Sequence, residues 1–389
     1  MWAARVGAAT ALLLVGSCAA VPGTSSRLRL SRDTFVVPAA VLRVVWSRPL
    51  VQRVPLLAYK LQEFASAAVD GNGRIFIGSS AKVFYALHPR DGSVLWSHRL
   101  TGAISSEPLY LPAGTVGPEA LVLVGDDDGA LTALVADRGA VRWTYRVHGT
   151  IRARPSYCEG LVLFTSSEGR LYAVDARSGA WRWQYEREAP ESFGIRGTSG
   201  PICSGGRVFA GFPDGYLVAL GVTTGEALWT RQLSGESTRF ADVDSTPALH
   251  AGTLYATSYA AGVYALDAKD GSTRWRYELE GAGPLALDAA AGRLYVSAAK
   301  VGIHCLDTEG HLLWRQALAK QGELSEPTVW GRYVLLSAAA GGSYLADAAT
   351  GELLQHFNPG QGITGRPVAA GQRVYVLSNT GVFFALSTG

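Results

Sequence analysis

The sequence contains few charged residues and no strong excess of either sign. Charged side chains make up 17% of the 389 residues, below the roughly 25% of an average soluble domain. The 35 basic residues nearly balance the 32 acidic ones. This balance does not predict a nucleic-acid partner, which usually needs a concentrated basic face. Because 48% of the residues are apolar, the chain is expected to fold rather than remain disordered.

Cysteine is also scarce, and chemical motifs are missing. Four cysteines in a chain of this length exclude a disulfide framework, and Cys158, Cys203 and Cys305 are expected to be small buried residues. Residues 126–129 (Asp-Asp-Asp-Gly) have the composition of a hairpin turn and lack the alternating oxygen ligands of a calcium loop. There is no HExxH, P-loop or Ser-His-Asp arrangement. The sequence predicts no catalytic residue, no metal site and no cofactor.

No apolar run is long enough to span a membrane permanently, which takes about 20 residues. Residues 6–15 are apolar or small and follow Arg5, as in a secretory signal. The run ends in Val15-Gly16-Ser17-Cys18, which resembles the lipobox of bacterial lipoproteins. Residues 19–40 contain Pro, Gly and Ser and are expected to form a flexible tether. The lipobox resemblance implies a signal peptide over 1–17 and a lipid anchor on Cys18. It also implies location at the periplasmic face of the outer membrane, because no Asp follows the cysteine. The alternative is an ordinary signal cleaved near Cys18.

The remainder of the chain is one unit repeated eight times. A short strand with a small or apolar middle residue recurs in steps of 40 to 47 residues, and its middle residues are Ala86, Ala133, Ala173, Ala219, Ala265, Cys305, Leu345 and Ala385. A glycine-containing turn follows most of these strands, and a tryptophan comes four residues after the glycine. Four short strands in each 40 to 47 residues are typical of a β-propeller blade.

The eighth unit ends after its third strand, so the ring needs a strand from elsewhere. Residues 41–48 form an unassigned strand that carries Trp46 where the missing tryptophan would stand. The sequence therefore predicts an all-β fold over 41–389: an eight-bladed β-propeller of four-stranded antiparallel blades, closed by the N-terminal strand. The repeat over 264–275 resembles that of quinoprotein (PQQ-like) propellers. This resemblance leaves open an alternative function as a periplasmic quinoprotein-like enzyme or a ligand-binding sensor.

Two connections between successive blades are unusually long. Trp183 to Pro201 and Trp229 to Pro247 each span 18 positions, whereas four other such connections span 9 to 13. Both join an outer strand to the next inner strand, so both are expected on the same face. Their candidate partner-binding residues are Phe193, Ile195, Arg196, Phe240, Asp242 and Asp244. An Arg beside carboxylates with apolar neighbours is typical of a protein-binding hot spot. A structural Arg–Asp clasp between the two loops is the alternative.

The two loop sequences, Ile-Arg-Gly-x-Ser-x-Pro over 195–201 and Arg-x-x-Asp-Val-Asp-x-Thr-Pro over 239–247, resemble those of the BamB family. Members of this family are lipoprotein subunits of the outer-membrane β-barrel assembly (BAM) machinery. The resemblance implies a non-catalytic scaffold whose partners are a periplasmic POTRA domain of BamA and other BAM subunits. Unfolded outer-membrane proteins are a further candidate client, held by β-augmentation. The membrane would be contacted only through the lipid anchor.

Overall fold

A computed structural model describes residues 41–51, 62–187, 199–234, 242–299, 301–318 and 322–388. These ranges contain 32 strands arranged in eight sheets of four, and they contain no helix. In them, accordingly, no helix is long and apolar enough to cross a membrane. The predicted signal peptide 1–17, the anchor Cys18 and the tether 19–40 lie outside the described residues and stay predictions.

Seven blades are each built from four consecutive strands, which run from the inside of the ring to its outside. Blade 1 contains β2 (Ala68–Val69), β3 (Ile75–Ile77), β4 (Val83–Leu87) and β5 (Val94–Arg99). Blade 2 contains β6 (Leu109–Leu111), β7 (Leu121–Gly125), β8 (Ala130–Val135) and β9 (Val141–Arg146). Blade 3 contains β10 (Ser156–Cys158), β11 (Leu161–Ser166), β12 (Arg170–Asp175) and β13 (Trp181–Glu186). Blade 4 contains β14 (Ile202–Ser204), β15 (Arg207–Gly211), β16 (Tyr216–Gly221) and β17 (Ala227–Gln232).

The second half of the ring repeats the same order. Blade 5 contains β18 (Ala248–His250), β19 (Thr253–Ser258), β20 (Gly262–Asp267) and β21 (Thr273–Tyr277). Blade 6 contains β22 (Ala282–Asp288), β23 (Arg293–Ala298), β24 (Gly302–Asp307) and β25 (Leu312–Ala317). Blade 7 contains β26 (Thr328–Trp330), β27 (Tyr333–Ala338), β28 (Gly342–Asp347) and β29 (Leu353–Phe357). Blade 8 contains β30 (Val368–Ala370), β31 (Arg373–Leu377), β32 (Val382–Thr388) and, from the start of the propeller, β1 (Leu42–Pro49).

The predicted eight-bladed propeller and its closure by the N-terminal strand are confirmed. β1 pairs antiparallel with β32, from Leu42 opposite Thr388 to Pro49 opposite Val382. The observed strand thus begins and ends one residue later than the predicted 41–48. The pairing gives the C-terminal strand the neighbour that it would otherwise lack, so a potentially reactive sheet edge is covered.

Tryptophans join the blades. Each predicted tryptophan lies over the turn glycine of the next blade and donates its indole N–H to a backbone carbonyl there. An example is Trp46, whose Nε1 is 3.0 Å from the carbonyl oxygen of Pro89. A Cβ on Gly92, whose φ is 68°, would lie 2.6 Å from the Trp46 ring, so only glycine fits. The same contact recurs for Trp96, Trp143, Trp183, Trp229, Trp275 and Trp314.

The junction between blades 7 and 8 is the exception, because the third and fourth strands of blade 8 come from opposite ends of the propeller. No turn connects them, so there is no turn glycine for a tryptophan to cover. Gln355 stands at the tryptophan position of blade 7. Its side chain accepts a hydrogen bond from the backbone N–H of Leu42 at 2.5 Å and donates one to the Leu42 carbonyl at 2.9 Å. A polar clamp on the first strand therefore replaces the indole contact.

Every outer strand carries a register shift next to the tryptophan position. In blade 1 the shift lies between Ala86 and Leu87, which pair with Trp96 and Val94, so that Leu95 is an extra residue. Corresponding shifts occur in the other seven blades. Such bulges twist and interrupt an edge, which disfavours continuous pairing with a further strand.

The expectation that Cys158 and Cys203 are separate buried residues is wrong. They form a disulfide, with Cα atoms 6.1 Å apart, between the inner strands of blades 3 and 4. The two cysteines occupy different positions in their strands, third in β10 and second in β14. The bond therefore crosses diagonally between blades, a relation that the repeat alignment hides. Cys305 is buried and free, as expected.

The two tryptophans of β13 provide a test of the docking contact. Trp183 is 6% exposed and Trp181 is 54% exposed. We expect Trp183→Ala to lower the free energy of unfolding by about 3–5 kcal/mol because it empties a blade junction. The matched change Trp181→Ala should stay within about 0.5 kcal/mol of wild type. Urea unfolding monitored by circular dichroism measures both, and equal losses would contradict the proposed importance of the junction.

The disulfide provides a second test. In unfolded protein without reductant, Cys158 and Cys203 should be unreactive towards a thiol reagent, and two further thiols should appear after reduction. Because the bond closes a loop with a sequence separation of 45 residues, the double change Cys158→Ser/Cys203→Ser should cost about 2–4 kcal/mol of stability. Cys305→Ser is the control for the thiol count, since it should remove one thiol from both measurements.

Candidate functional site

The two long connections belong to blade junctions 3–4 and 4–5. The first follows β13 and the second follows β17, so both leave the ring at the end where the outer strands finish. Four of the predicted residues, Phe193, Ile195, Arg196 and Phe240, fall in 188–198 and 235–241, outside the described residues. Asp242 and Asp244, together with the chain on both sides of each gap, are described.

The C-terminal ends of the two connections are hydrogen-bonded to each other. The Ser199 hydroxyl donates to the Ser245 carbonyl at 2.9 Å, and the Gly200 N–H donates to the Thr246 hydroxyl at 3.1 Å. Thr165 of blade 3 also donates to the Ser199 carbonyl at 2.8 Å. The expected side-by-side arrangement is therefore present where each connection rejoins its blade.

The N-terminal end of the first connection is held by a charged contact. Arg187 forms an ion pair with Asp214 of blade 4, with Nε and Oδ2 2.5 Å apart. Its guanidinium also lies over the Tyr216 ring, 4.0 Å from the centroid. The carboxylate and the aromatic ring both restrict the position of the Arg187 guanidinium group. The described residues on either side of the gap at 188–198, Arg187 and Ser199, are thus both held by contacts with a neighbouring blade or connection.

The two predicted acids differ in exposure. Asp242 is buried, with 1% of its surface exposed, whereas Asp244 is only partly buried. Between them Val243 is buried against Gly211 and donates its N–H to the Phe212 carbonyl at 3.2 Å. Asp242 therefore lies on the buried side of the second connection. Asp244 is the more accessible of the two acids.

Partial removal of the Asp244 carboxyl group from water, together with the nearby carboxylates of Asp242 and Glu323, raises its pKa to about 7. A carboxylate held in an ion pair would show the opposite shift. Arg196, the cation of the clasp alternative, lies outside the described residues, so the clasp stays an alternative.

Glu323 was not singled out from the sequence. It lies four residues before Pro327, in the connection from blade 6 to blade 7. The corresponding positions before Pro108, Pro155 and Pro367 hold the buried residues Ile104, Ile151 and Ile363. A charged residue in an otherwise apolar pattern was the signal that could have singled out Glu323. Its carboxylate, in the connection from blade 6 to blade 7, helps to raise the pKa of Asp244.

A chain of ion pairs lies at the centre of the ring, at the same end as the connections. Its members stand two residues before inner strands β6, β10, β26 and β30. Arg366 contacts Glu107 through three hydrogen bonds of 2.7 to 3.1 Å and Glu326 through one of 3.0 Å. Arg154 completes the chain, 3.2 Å from Glu107. Burial alone would lower the pKa of Arg366, but Glu326 and Glu107 raise it above its usual value. The two guanidinium groups and two carboxylates therefore neutralise one another.

Beside this ion chain the central channel contains an open space lined by the inner strands of blades 4 to 7. Its charged lining residues are Glu326 and Arg366, which already bind each other. Among the described residues, no group of three or more His, Cys, Asp and Glu side chains could hold a metal ion. In this part of the chain the residues do not fit the calcium and quinone site that the quinoprotein alternative would require.

Comparisons with known sequences identify relatives of this chain. The family PQQ_2, described as outer membrane protein assembly factor BamB, matches residues 110–308, 260–358 and 300–389. The BamB of Yersinia pestis is 26% identical over 351 residues, which cover 88% of this chain and 77% of that protein. The BamB of Escherichia coli K12 is 27% identical, with 80% of this chain and 82% of that protein covered. The chain spans about half the length of several others, such as 52% of the Pseudomonas aeruginosa protein.

Solved structures agree on the fold. The crystal structure of BamB from Moraxella catarrhalis superposes with a TM-score of 0.73 at 24% identity, covering 89% of this chain and 100% of that one. A europium-containing methanol dehydrogenase superposes almost as well, with a TM-score of 0.71 at 14% identity and coverage of 90% and 94%. At these identities the likeness establishes the propeller architecture alone. Because the family match extends over residues 110–389, well over half of the sequence, the chain belongs to the BamB family of outer membrane protein assembly factors.

Proposed function

We propose that this protein is a non-catalytic scaffold of the outer-membrane β-barrel assembly machinery. The single observation that carries the proposal is the pair of long connections whose ends are hydrogen-bonded together on one face. Loops held by a rigid ring are the usual place for recognition. The names of the relatives, outer membrane protein assembly factor, agree with this role.

The proposed partner is a periplasmic POTRA domain of BamA, and through it the other BAM subunits. Phe193, Ile195 and Phe240 would supply apolar anchors and Arg196 a charged one. Asp244 would face the partner, because it is the more accessible of the two acids. Asp242 would hold the second connection from inside, as its burial suggests.

The proposed location is the periplasmic face of the outer membrane, with a lipid anchor on Cys18. The disulfide between Cys158 and Cys203 supports it, because disulfides persist in the periplasm and are rare in the reducing cytosol. Direct capture of unfolded client strands along the outer edges receives less support. Each of those edges is interrupted by a bulge, so a continuous added ladder is disfavoured.

Partner capture tests the proposed surface. The full chain, affinity-tagged and incubated with an outer-membrane extract of its own organism, should recover BamA, identified by mass spectrometry. The double change Arg196→Ala/Asp244→Ala should lower this recovery at least about tenfold, as expected for hot-spot residues.

The control variant, Arg99→Ala/Asp270→Ala, removes the same charges from exposed positions on blades 1 and 5 and should recover BamA like wild type. Failure of the wild type to recover BamA, or equal recovery by the test variant, would overturn the proposal. A test variant that unfolds at a markedly lower temperature would instead support the clasp.

The raised pKa of Asp244 predicts a pH dependence of stability. With a pKa of about 7 in the folded chain and about 3.9 in the unfolded chain, Asp244 retains a proton on folding between these values. The free energy of unfolding should therefore fall as pH rises from about 4 to about 7. Asp244→Asn stays neutral and should gain, relative to wild type, on the order of 1–4 kcal/mol over this window.

Urea unfolding at a series of pH values measures this difference. Asp270→Asn is the matched control, because hydrogen bonds from Ser272 lower the pKa of the exposed Asp270. This variant should show no gain as pH rises. If the free energies of unfolding of wild type and Asp244→Asn changed in parallel with pH, the raised pKa assigned to Asp244 would be contradicted.

A further inference from the structure

Blade 2 departs from the repeat at the end of the ring opposite the long connections. The inner strand and the next strand of a blade are joined by two residues in blades 3, 4, 5, 7 and 8. In blade 2 the corresponding connection contains nine residues, 112–120. It is closed on itself by backbone hydrogen bonds from Gly114 to Gly117 at 2.8 Å and from Thr115 to Pro112 at 3.1 Å. The insertion is therefore an ordered structure built onto one blade.

This insertion forms one wall of a cleft. The lining of this cleft includes Gly117, Glu119, Arg142 and Arg177. Arg142 comes from the outer strand of the same blade. Arg177 comes from the turn between β12 and β13 in blade 3. The cleft is thus assembled from two neighbouring blades and the insertion that only blade 2 carries at this length within the described chain.

The charges in the cleft are unbalanced. Arg138 contacts the Glu119 carboxylate at 2.6 Å, and Arg142 lies 4.0 Å from its other oxygen. Among the described residues no carboxylate lies within 4 Å of the Arg177 guanidinium, and the nearby Asp175 is bound by Arg182 at 2.7 Å. Three guanidinium groups therefore share one carboxylate, which leaves an excess of two positive charges around an open cleft.

We propose that this cleft binds an oxyanion of the phosphate type through Arg177 and Arg142. Guanidinium groups present paired N–H donors that match the oxygens of phosphate. Glu119 binds Arg138 and lies near Arg142. Arg177 has no such carboxylate among the described residues, so its N–H groups are available to a bound anion. The site goes beyond the scaffold role, since it lies at the other end of the ring from the loops assigned to that role.

Two sources of such an anion fit the position. One is a soluble phosphate or phosphomonoester, and the other is the phosphodiester of a lipid headgroup. The chain enters the propeller at Leu42, where β1 begins, and all outer strands begin at the end of the ring that carries the cleft. A headgroup source is therefore compatible with a chain anchored through its N-terminal segment.

The first experiment uses the full chain carrying Cys18→Ser, so that no acyl chain is attached, and titrates it calorimetrically with inorganic phosphate at low ionic strength. Saturable binding is expected, and it should weaken with added salt because the site is open to solvent. Arg177→Ala should reduce the affinity about threefold to tenfold. Glu119→Gln removes the competing carboxylate and should increase the affinity.

Arg90→Ala is the matched control. Arg90 occupies the equivalent turn position in blade 1, two residues before the turn glycine Gly92, and it is exposed like Arg177. No long insertion faces it there, because blade 8 has a two-residue connection. This variant should bind phosphate like the parent. Absence of saturable binding, no loss in Arg177→Ala, or an equal loss in Arg90→Ala would each overturn the proposal.

Vesicles distinguish the two sources. The same proteins are sedimented with phosphatidylcholine vesicles and with vesicles that also contain phosphatidylglycerol. Retention that requires phosphatidylglycerol and is lost in Arg177→Ala identifies a lipid headgroup as the ligand. Phosphate binding with no preference between the vesicles identifies a soluble anion. Neither result depends on BamA, so the site and the scaffold role can fail separately.

Discussion

The contact between a tryptophan ring and a turn glycine is the interaction on which the rest of the ring depends. Each blade is a small twisted sheet with two faces that must be covered, and the contact covers one face while it satisfies a carbonyl of the next blade. Donor and acceptor always belong to different blades, as Trp183 of blade 3 and the Val222 carbonyl of blade 4 illustrate. No blade therefore completes its own core, and stability is shared between neighbours.

Polar groups close the ring where this contact is impossible. The ring closes in blade 8, at a seam where β1 pairs with β32. This blade lacks the turn that a tryptophan would cover. Gln355 binds both backbone groups of Leu42, and β1 adds seven paired positions to β32. The ion pair of Arg366 with Glu107 passes over blade 1 and links blade 8 directly to blade 2. The closure is thus held by strand pairing, by a polar clamp from blade 7 and by an ion pair that reaches blade 2.

Features that repeat locally could be predicted from the sequence, and features that join distant repeats could not. The Trp–Gly spacing defines the blades, and the count of strands implies closure by residues 41–48. The disulfide was not predicted because its cysteines stand at unequal positions in β10 and β14. The insertion at 112–120 lengthens a repeat without altering the Trp–Pro spacing that was compared. For the candidate site, equal loop lengths predicted adjacency. The burial of Asp242 depends on the path of an irregular connection, which spacing does not encode.

The closing strand also governs the order in which the protein can complete its fold. β1 is the first strand of the described chain, yet its partner β32 is the last. A chain that is synthesised from its N-terminus delivers β1 first, and this strand lacks its partner until residues 382–388 have followed. Contacts between residues so far apart in sequence form slowly. The ring therefore cannot close before the C-terminal strand β32 is available to β1.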